Sequence, residues 1–488
     1  MLGGVLAVVA FSLALQGARS LWEPDEGRYV NVALEMITSG DWMTPRLHHE
    51  VPHYSKPPLT YWTIAASLEI FGRTEWAARL PGALAFAGTI LLVAWSARRL
   101  APGAEVTAAV VYATSLLPFV AANIVSTDTL LAFTAMTGVA GFVELAFGEG
   151  SPRLARAMLW GGFGLAFLTK GPPGLLPLAA LLVFSARDGR SWRGARRLAS
   201  LPSLALFAAL AFTWYLHEIA HRPDLLRYLL GAEVMARVGS PEFDRNSGLR
   251  GLVRMYAPVV LAGMLPWWPL ALVRERRRRA SEQVGRAPLA REERLLLLWL
   301  LLPLTVFVIA QSRLPLYLLP LAAPAALLLA RRLGPLPTTR RELVGIVLLA
   351  AVLVGLRGLS AQYPTARDGR RFAAALLRQL PYPPGEVLFV ETKPHYTVAF
   401  YLGCEVESVD LATIQIRPRE PSYRQMAEPL ASELADPEPA RIFLVTPGGD
   451  EAWRRELAAL GYEARTLGKV DRYTIYLAPR RAGPAGPG

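Results

Sequence analysis

A single cysteine, Cys404, leaves this chain without an intrachain disulfide and without any multi-cysteine metal site. Charge is also scarce. Charged residues make up 19% of 488 and hydrophobic residues 53%, too apolar a balance for an ordinary soluble protein. No glycine loop with nucleotide-binding spacing stands out, which argues against a nucleotide-dependent chemistry. No internal repeat is visible, and no Lys or Arg precedes the first apolar run as a secretory signal requires.

What is present instead is a series of apolar runs, each about 17 to 22 residues long and free of interior charge, the length of a membrane-crossing helix. Lipid cannot satisfy open backbone groups, so the class is polytopic α-helical membrane protein. Residues 1–18 read as a first membrane helix, since cleavage there would leave the following polar loop untethered. Further spans are expected near 78–97, 104–121, 128–147, 157–169, 172–186, 199–217, 251–273, 295–311, 314–330 and 342–358.

The net charge of +13 invites a polyanion partner. The arginines, however, fall between apolar runs: Arg98-Arg99, Arg153 with Arg156, RDGRSWRGARR, RERRRRASEQVGRAPLAREER and RRLGPLPTTRR. These connectors share one side if the chain threads back and forth, and the positive-inside rule makes that side the cytoplasm. No nucleic acid is therefore expected. Roughly eleven spans place the N-terminus inside and the C-terminus outside. The membrane domain is expected over 1–359, with a first extracytoplasmic loop over about 19–77.

From 360 the composition changes. DGRRFAAALLRQL and GGDEAWRRELAALG have helical periodicity, while GEVLFVE, ARIFLVTP and DRYTIYLAP read as strands. A small extracytoplasmic α/β domain is expected over 360–480, with a disordered tail over 481–488.

The extracytoplasmic side then collects the unusual polar residues. Asp25 is placed either as a general base or as a first-turn helix acid, with Glu26 beside it. Arg28 either binds phosphate as a fork or pairs with Glu26 or Glu35. Lys56 follows Tyr54 in YSKPPLTYW, with Pro57-Pro58 fixing its exit. Asp128 begins an apolar span, where an ionisable group is costly and is functional or paired. Lys170 in FLTKGPPG either holds a phosphate at the interface or snorkels to headgroups. Arg313 and Tyr317 in QSRLPLYLLP share this side. Glu233 and Arg237 are either substrate contacts or an ordinary helix pair four apart, with Arg245 in the same loop. His48, His49 and His53 lack an obvious carboxylate partner and make a weak metal signal.

These motifs carry a resemblance. WEPDEGRYVNVALEMITSGDWMTPRL, YSKPPLTYW, LTKGPPG and SRLPLYLLP, in this order across about residues 20 to 330, resemble the bacterial lipid-linked sugar transferases related to aminoarabinose lipid A transferase. More distantly they resemble protein O-mannosyltransferases. The resemblance implies a GT-C fold and a polyprenyl-phosphate-linked sugar donor. It also implies a lipid, glycan or protein acceptor at the periplasmic face of the bacterial inner (plasma) membrane. It assigns catalytic roles to Asp25 and Asp128, donor-phosphate binding to Arg28, Lys56 and Lys170, and inversion at the anomeric carbon. Two departures stand out. Ser55 occupies the place of an acid before the KPP lysine, and Val234 follows Glu233 where relatives carry a histidine. Those positions are metal ligands in the relatives, so no cofactor and no metal is expected here, and the sugar stays open. The competing class is a lipid or glycolipid transporter or flippase, which also displays an intramembrane acid and cations.

Overall fold

The computed structural model describes residues 2–48, 52–188, 198–229, 231, 246–281, 288–411, 427–435 and 441–480. The chain packs as two compact units. One is drawn from Met1–Ala18, Ser55–Thr63 and Arg79–Ala361, the other from Arg19–Tyr54, Ile64–Ala78 and Gln362–Gly488.

The first unit is helical. Among the described residues, five helices are long and apolar enough to cross a bilayer: Glu75–Leu100, Thr127–Phe147, Leu201–His221, Pro315–Leu333 and Arg340–Ser360. The pair Gly248–Ala262 and Trp267–Arg278 adds a sixth if its 60° bend lies within one span. That pair covers the run expected as one straight span over 251–273. The run expected over 104–121 breaks at Ser115, between helices Glu105–Thr114 and Leu116–Ala121.

Apolar side chains divide between two environments. Phe86, Val111, Met136, Phe163, Trp299 and Leu327 belong to one buried core. On the Arg340–Ser360 helix, by contrast, Leu343, Val347, Leu348, Val352, Leu356 and Leu359 are exposed, as a lipid-facing surface requires. That helix opens with a capping box, in which the Glu342 amide donates to Thr339 Oγ1 (3.2 Å) and the Thr339 amide to Glu342 Oε2 (3.3 Å). Near its end, buried Arg357 donates to the carbonyls of Ser12 (3.4 Å) and Ala14 (2.8 Å).

Helices Thr127–Phe147 and Pro152–Lys170 meet along a stripe of glycines. A Cβ on Gly162 would stand 2.3 Å from the Gly138 nitrogen, and one on Gly141 2.4 Å from the Ala155 carbonyl. With no hydrophobic drive between helices in lipid, such backbone contact supplies the packing attraction.

The second unit contains a six-stranded sheet in the order β3-β2-β1-β4-β6-β5. The strands are β1 (Glu386–Val390), β2 (Glu405–Asp410), β3 (Ala427–Pro429), β4 (Arg441–Val445), β5 (Arg465–Val470) and β6 (Tyr473–Leu477). β1 pairs in parallel with β2 and β4, and β2 with β3, while β6 runs antiparallel to β4 and β5. β1 is buried along its whole length, as a central parallel strand between covered faces must be. Trp453 from helix Asp450–Ala459 packs on Phe443, ring centroids 4.6 Å apart.

Most of the polar loop, expected as part of the membrane domain, packs into this second unit. Trp22 and Asp368 form an antiparallel bridge, the Gly369 amide donates to the Leu21 carbonyl (3.0 Å), and the Leu21 amide donates to the Tyr401 hydroxyl (2.9 Å). Backbone groups leaving the first helix thus find partners in a strand-like segment hundreds of residues away.

The glycine stripe generates a prediction. Gly162→Ala forces the Thr127–Phe147 and Pro152–Lys170 backbones apart and costs about 1–3 kcal/mol. Gly345→Ala, which meets nothing within 4 Å, leaves the melting temperature in detergent unchanged. Equal melting of both variants would show that the stripe does not hold the two helices.

Candidate functional site

Asp128 and Lys170 stand at adjoining ends of these two glycine-packed helices. Thr127–Phe147 begins after Ser126, whose hydroxyl accepts from the Asp128 amide (3.3 Å), so Asp128 occupies the first turn. Pro152–Lys170 ends on Lys170 because Gly171 takes φ +70°, a conformation that suits glycine. The chain then turns through Pro172–Leu175, where a Cβ on Gly174 would lie 2.5 Å from the Ala166 carbonyl. An acid at a helix N-terminus and a cation at a helix C-terminus each complement the local dipole.

The two side chains meet. Lys170 Nζ donates to Asp128 Oδ1, with both side chains 9% exposed. The same ammonium lies 4.5 Å from the centroid of the Tyr317 ring, carried by the turn Pro315–Leu321. The structure thereby brings together Asp128, Lys170 and Tyr317. Arg313, from the same motif as Tyr317, does not join them. It is buried, donating to the carbonyls of Asn246 (3.0 Å), Gly248 (3.0 Å) and Val308 (2.8 Å). Its guanidinium fastens a chain turn.

Lys56 belongs to this first unit too. It is half-buried just before helix Leu59–Phe71, and its ammonium donates to the Ser55 carbonyl (2.6 Å).

In the second unit, helix Asp25–Ser39 starts at Asp25 and stops where Gly40 turns left-handed. Asp25 is a first-turn acid, 60% exposed, and Arg28 donates to its Oδ1 at 2.8 Å. Arg28 thus pairs with Asp25, a partner not among those open from sequence, Glu26 and Glu35. Glu26, also expected as a substrate contact, is buried. Its carboxylate accepts both Arg19 guanidinium nitrogens (2.7 and 3.0 Å) and the Trp22 amide (2.8 Å), and Arg19 covers the Trp22 ring at 4.0 Å. Tyr54 is buried in the same unit.

His48 is buried, with Nδ1 3.1 Å from Glu407 Oε1, and the His53 amide donates to the Pro45 carbonyl (2.7 Å). His49, Glu233, Val234, Arg237 and Arg245 lie outside the described residues.

Two features carried no sequence signal. Glu386, Glu407 and Glu433 bring carboxylate oxygens within 4.8 Å of one another. Arg441 sits among them, pairing with Glu386 and lying 3.7 Å from Glu433. Burial raises the Glu386 pKa despite that guanidinium. The second feature is Glu23, buried two residues before Asp25. Both were hidden because the partners come from remote segments.

Comparison with known proteins agrees with this architecture. Residues 55–217 match the family described as dolichyl-phosphate-mannose-protein mannosyltransferase. The chain is 31% identical over 366 residues to an undecaprenyl phosphate-alpha-4-amino-4-deoxy-L-arabinose arabinosyl transferase of Edwardsiella ictaluri, covering 73% of this chain and 63% of that protein. It is 32% identical to the protein of that description from Pectobacterium carotovorum, over 70% of this chain and 60% of the relative. The chain thus spans somewhat under two thirds of the length of these curated relatives. A crystal structure of ArnT from Cupriavidus metallidurans bound to undecaprenyl phosphate superposes with a TM-score of 0.75 at 22% identity, over 99% of this chain and 98% of that one. Its apo form gives 0.72. The fold is therefore that of ArnT, a helical GT-C membrane architecture with a small sheet.

The buried pair gives the second prediction. Lys170→Met leaves Asp128 without its counter-charge and costs about 3–5 kcal/mol, while Asp128→Asn combined with Lys170→Met recovers part of that loss. Unfolding of the three proteins in detergent measures it, and strictly additive losses would deny the coupling.

Proposed function

We propose that this protein transfers a sugar from a polyprenyl-phosphate donor to an acceptor of the cell envelope. The reaction takes place at the periplasmic face of a bacterial inner membrane that the chain crosses about eleven times, with its N-terminus cytoplasmic and its C-terminal α/β domain periplasmic. The observation that carries the reading is the Asp128–Lys170 pair under the Tyr317 ring, a buried ionic centre at the ends of two apolar helices. Similarity to arabinosyl transferases that use an undecaprenyl-phosphate sugar, and the ArnT fold, support the same reading.

The chemistry asked of the chain is modest. The acceptor hydroxyl gives its proton to Asp25, its oxygen bonds to the anomeric carbon with inversion, and the sugar–phosphate bond breaks. Polyprenyl phosphate departs with the electron pair. Negative charge grows on that phosphate, so cations fixed beforehand lower the barrier. Lys56, Lys170 and Arg28 are assigned this role, and Asp128 holds Lys170 in place. A resident metal is no part of the proposal. The residue before Lys56 is Ser55, whose neutral hydroxyl is a poor divalent ligand beside a carboxylate.

The transporter alternative drew on the same intramembrane acid. That acid is engaged by Lys170, and both relatives described above are transferases. The sugar and the acceptor are tested directly. Full-length protein in liposomes, supplied with undecaprenyl-phosphate-linked aminoarabinose or other polyprenyl-phosphate sugars, should release polyprenyl phosphate when acceptor lipid is added. Asp25→Asn, melting as wild type, should lower kcat about 10²–10⁴-fold. Lys56→Met should raise KM for the donor. Unchanged turnover in Asp25→Asn would remove Asp25 from the mechanism.

A further inference from the structure

Glu23 has no part in the reaction above, yet its surroundings are unusual for a carboxyl. It is 8% exposed. Oε1 accepts the Thr397 amide at 2.6 Å, and Oε2 has no hydrogen-bond partner among the described residues. Its own amide donates to the Arg367 carbonyl at 2.9 Å. Thr397 is buried in a slot between two glycines. A Cβ on Gly27 would lie 2.6 Å from Glu23 Oε1 and 2.9 Å from the Thr397 nitrogen. One on Gly369 would lie 2.3 Å from Thr397 Oγ1. Gly27 immediately precedes Arg28, and the Arg28 amide donates to the Pro24 carbonyl at 3.3 Å. The turn that displays Asp25 and Arg28 therefore rests on Glu23 below and Thr397 behind.

We propose that Glu23 is a positioning residue, through which the C-terminal α/β fold sets the orientation of the Asp25–Arg28 turn. The inference rests on the transferase reading for the roles of Asp25 and Arg28. Its geometry stands apart from that reading.

A half-satisfied carboxylate is expensive to bury. Burial pushes the Glu23 carboxyl up to about 7, against the Thr397 amide and Arg28, which lower it, and with Asp25 adding to the rise. From the C-terminal fold it faces Thr397 and the Tyr396 phenol, whose own pKa is raised. The folded protein thus holds the proton more tightly than the unfolded chain. Stability from this group is complete below about 4.5 and is lost as pH rises through about 7. Above that pH the ionised carboxyl loosens the turn.

The test compares full-length wild type, Glu23→Gln and Glu23→Ala. Glutamine keeps an oxygen for the Thr397 amide and cannot ionise, whereas alanine removes the contact. Hydrogen exchange of the amides of residues 25–30, read at one pH, should be about tenfold faster in Glu23→Ala and near wild type in Glu23→Gln. In transfer assays, wild-type kcat should fall as pH rises through about 7. Glu23→Gln should lack that limb, and Glu23→Ala should lose kcat and raise KM for the donor, because Asp25 and Arg28 share the turn. Wild-type exchange in Glu23→Ala, or an unaltered pH limb in Glu23→Gln, would overturn the inference. Absence of transfer by wild type, with exchange behaving as expected, would fail the transferase reading alone and leave the tie between Glu23 and the turn supported.

Discussion

A carboxylate at the mouth of an apolar helix must be compensated, because neither lipid nor packed protein solvates it. In this chain Lys170 supplies the compensation for Asp128, and the requirement reaches well beyond the two side chains. The ammonium arrives at the right height only if its helix keeps register with the neighbouring one. The glycine stripe around Gly138 and Gly162 holds that register through backbone contact, and the turn at Gly171 ends the helix on the lysine. Packing in the apolar layer and charge placement at its edge are thus a single constraint. A change deep in the stripe would be felt at the ion pair.

The second unit follows the same rule with different partners. Buried charges there are tied internally: Glu26 by Arg19, and Glu386 and Glu433 by Arg441. Asp25 and Arg28 differ from these. Their pair is exposed and local, one turn apart, and exposed pairs of that kind contribute about 0–1 kcal/mol. Separating an exposed pair of that kind costs little, whereas opening the Arg19–Glu26 fork would strand a buried charge. On the proposed reading, this exposure is what lets Asp25 meet a substrate while Glu26 beside it holds the fold.

The same distinction explains what was legible in the sequence. Asp128 announced itself because an acid opening an apolar run breaks the hydrophobic pattern. Its partner lies 42 residues on, and the pairing itself had no local sign. β1, β4 and β6 were readable as apolar runs between turn residues. β2 was hidden by Glu405 and Glu407, the latter buried beside His48, and β5 is an edge strand of mixed polarity. The burial of Arg313 and Glu26 had no sign in the sequence, which shows charge and neighbourhood alone. Glu23 was missed for the same reason. Its signal is burial against Thr397, a residue 374 positions away.

Charge arithmetic sharpens the proposed chemistry. A sugar joined to polyprenyl phosphate presents a diester with one negative charge, and the departing monoester carries up to two. Lys170 is already balanced by Asp128, so the pair as a whole offers a donor phosphate no net positive charge. What it offers is direction, an ammonium held by a carboxylate on one side and a tyrosine ring on another. On the proposed reading, the charge that develops on the leaving phosphate is met by Lys56 and Arg28 together with Lys170. The Lys56 ammonium bonds to the Ser55 backbone carbonyl, and the position that would place a carboxylate next to it is occupied by a serine. On the proposed reading, Asp128 fixes the direction in which Lys170 meets the donor phosphate, beside Lys56 and Arg28.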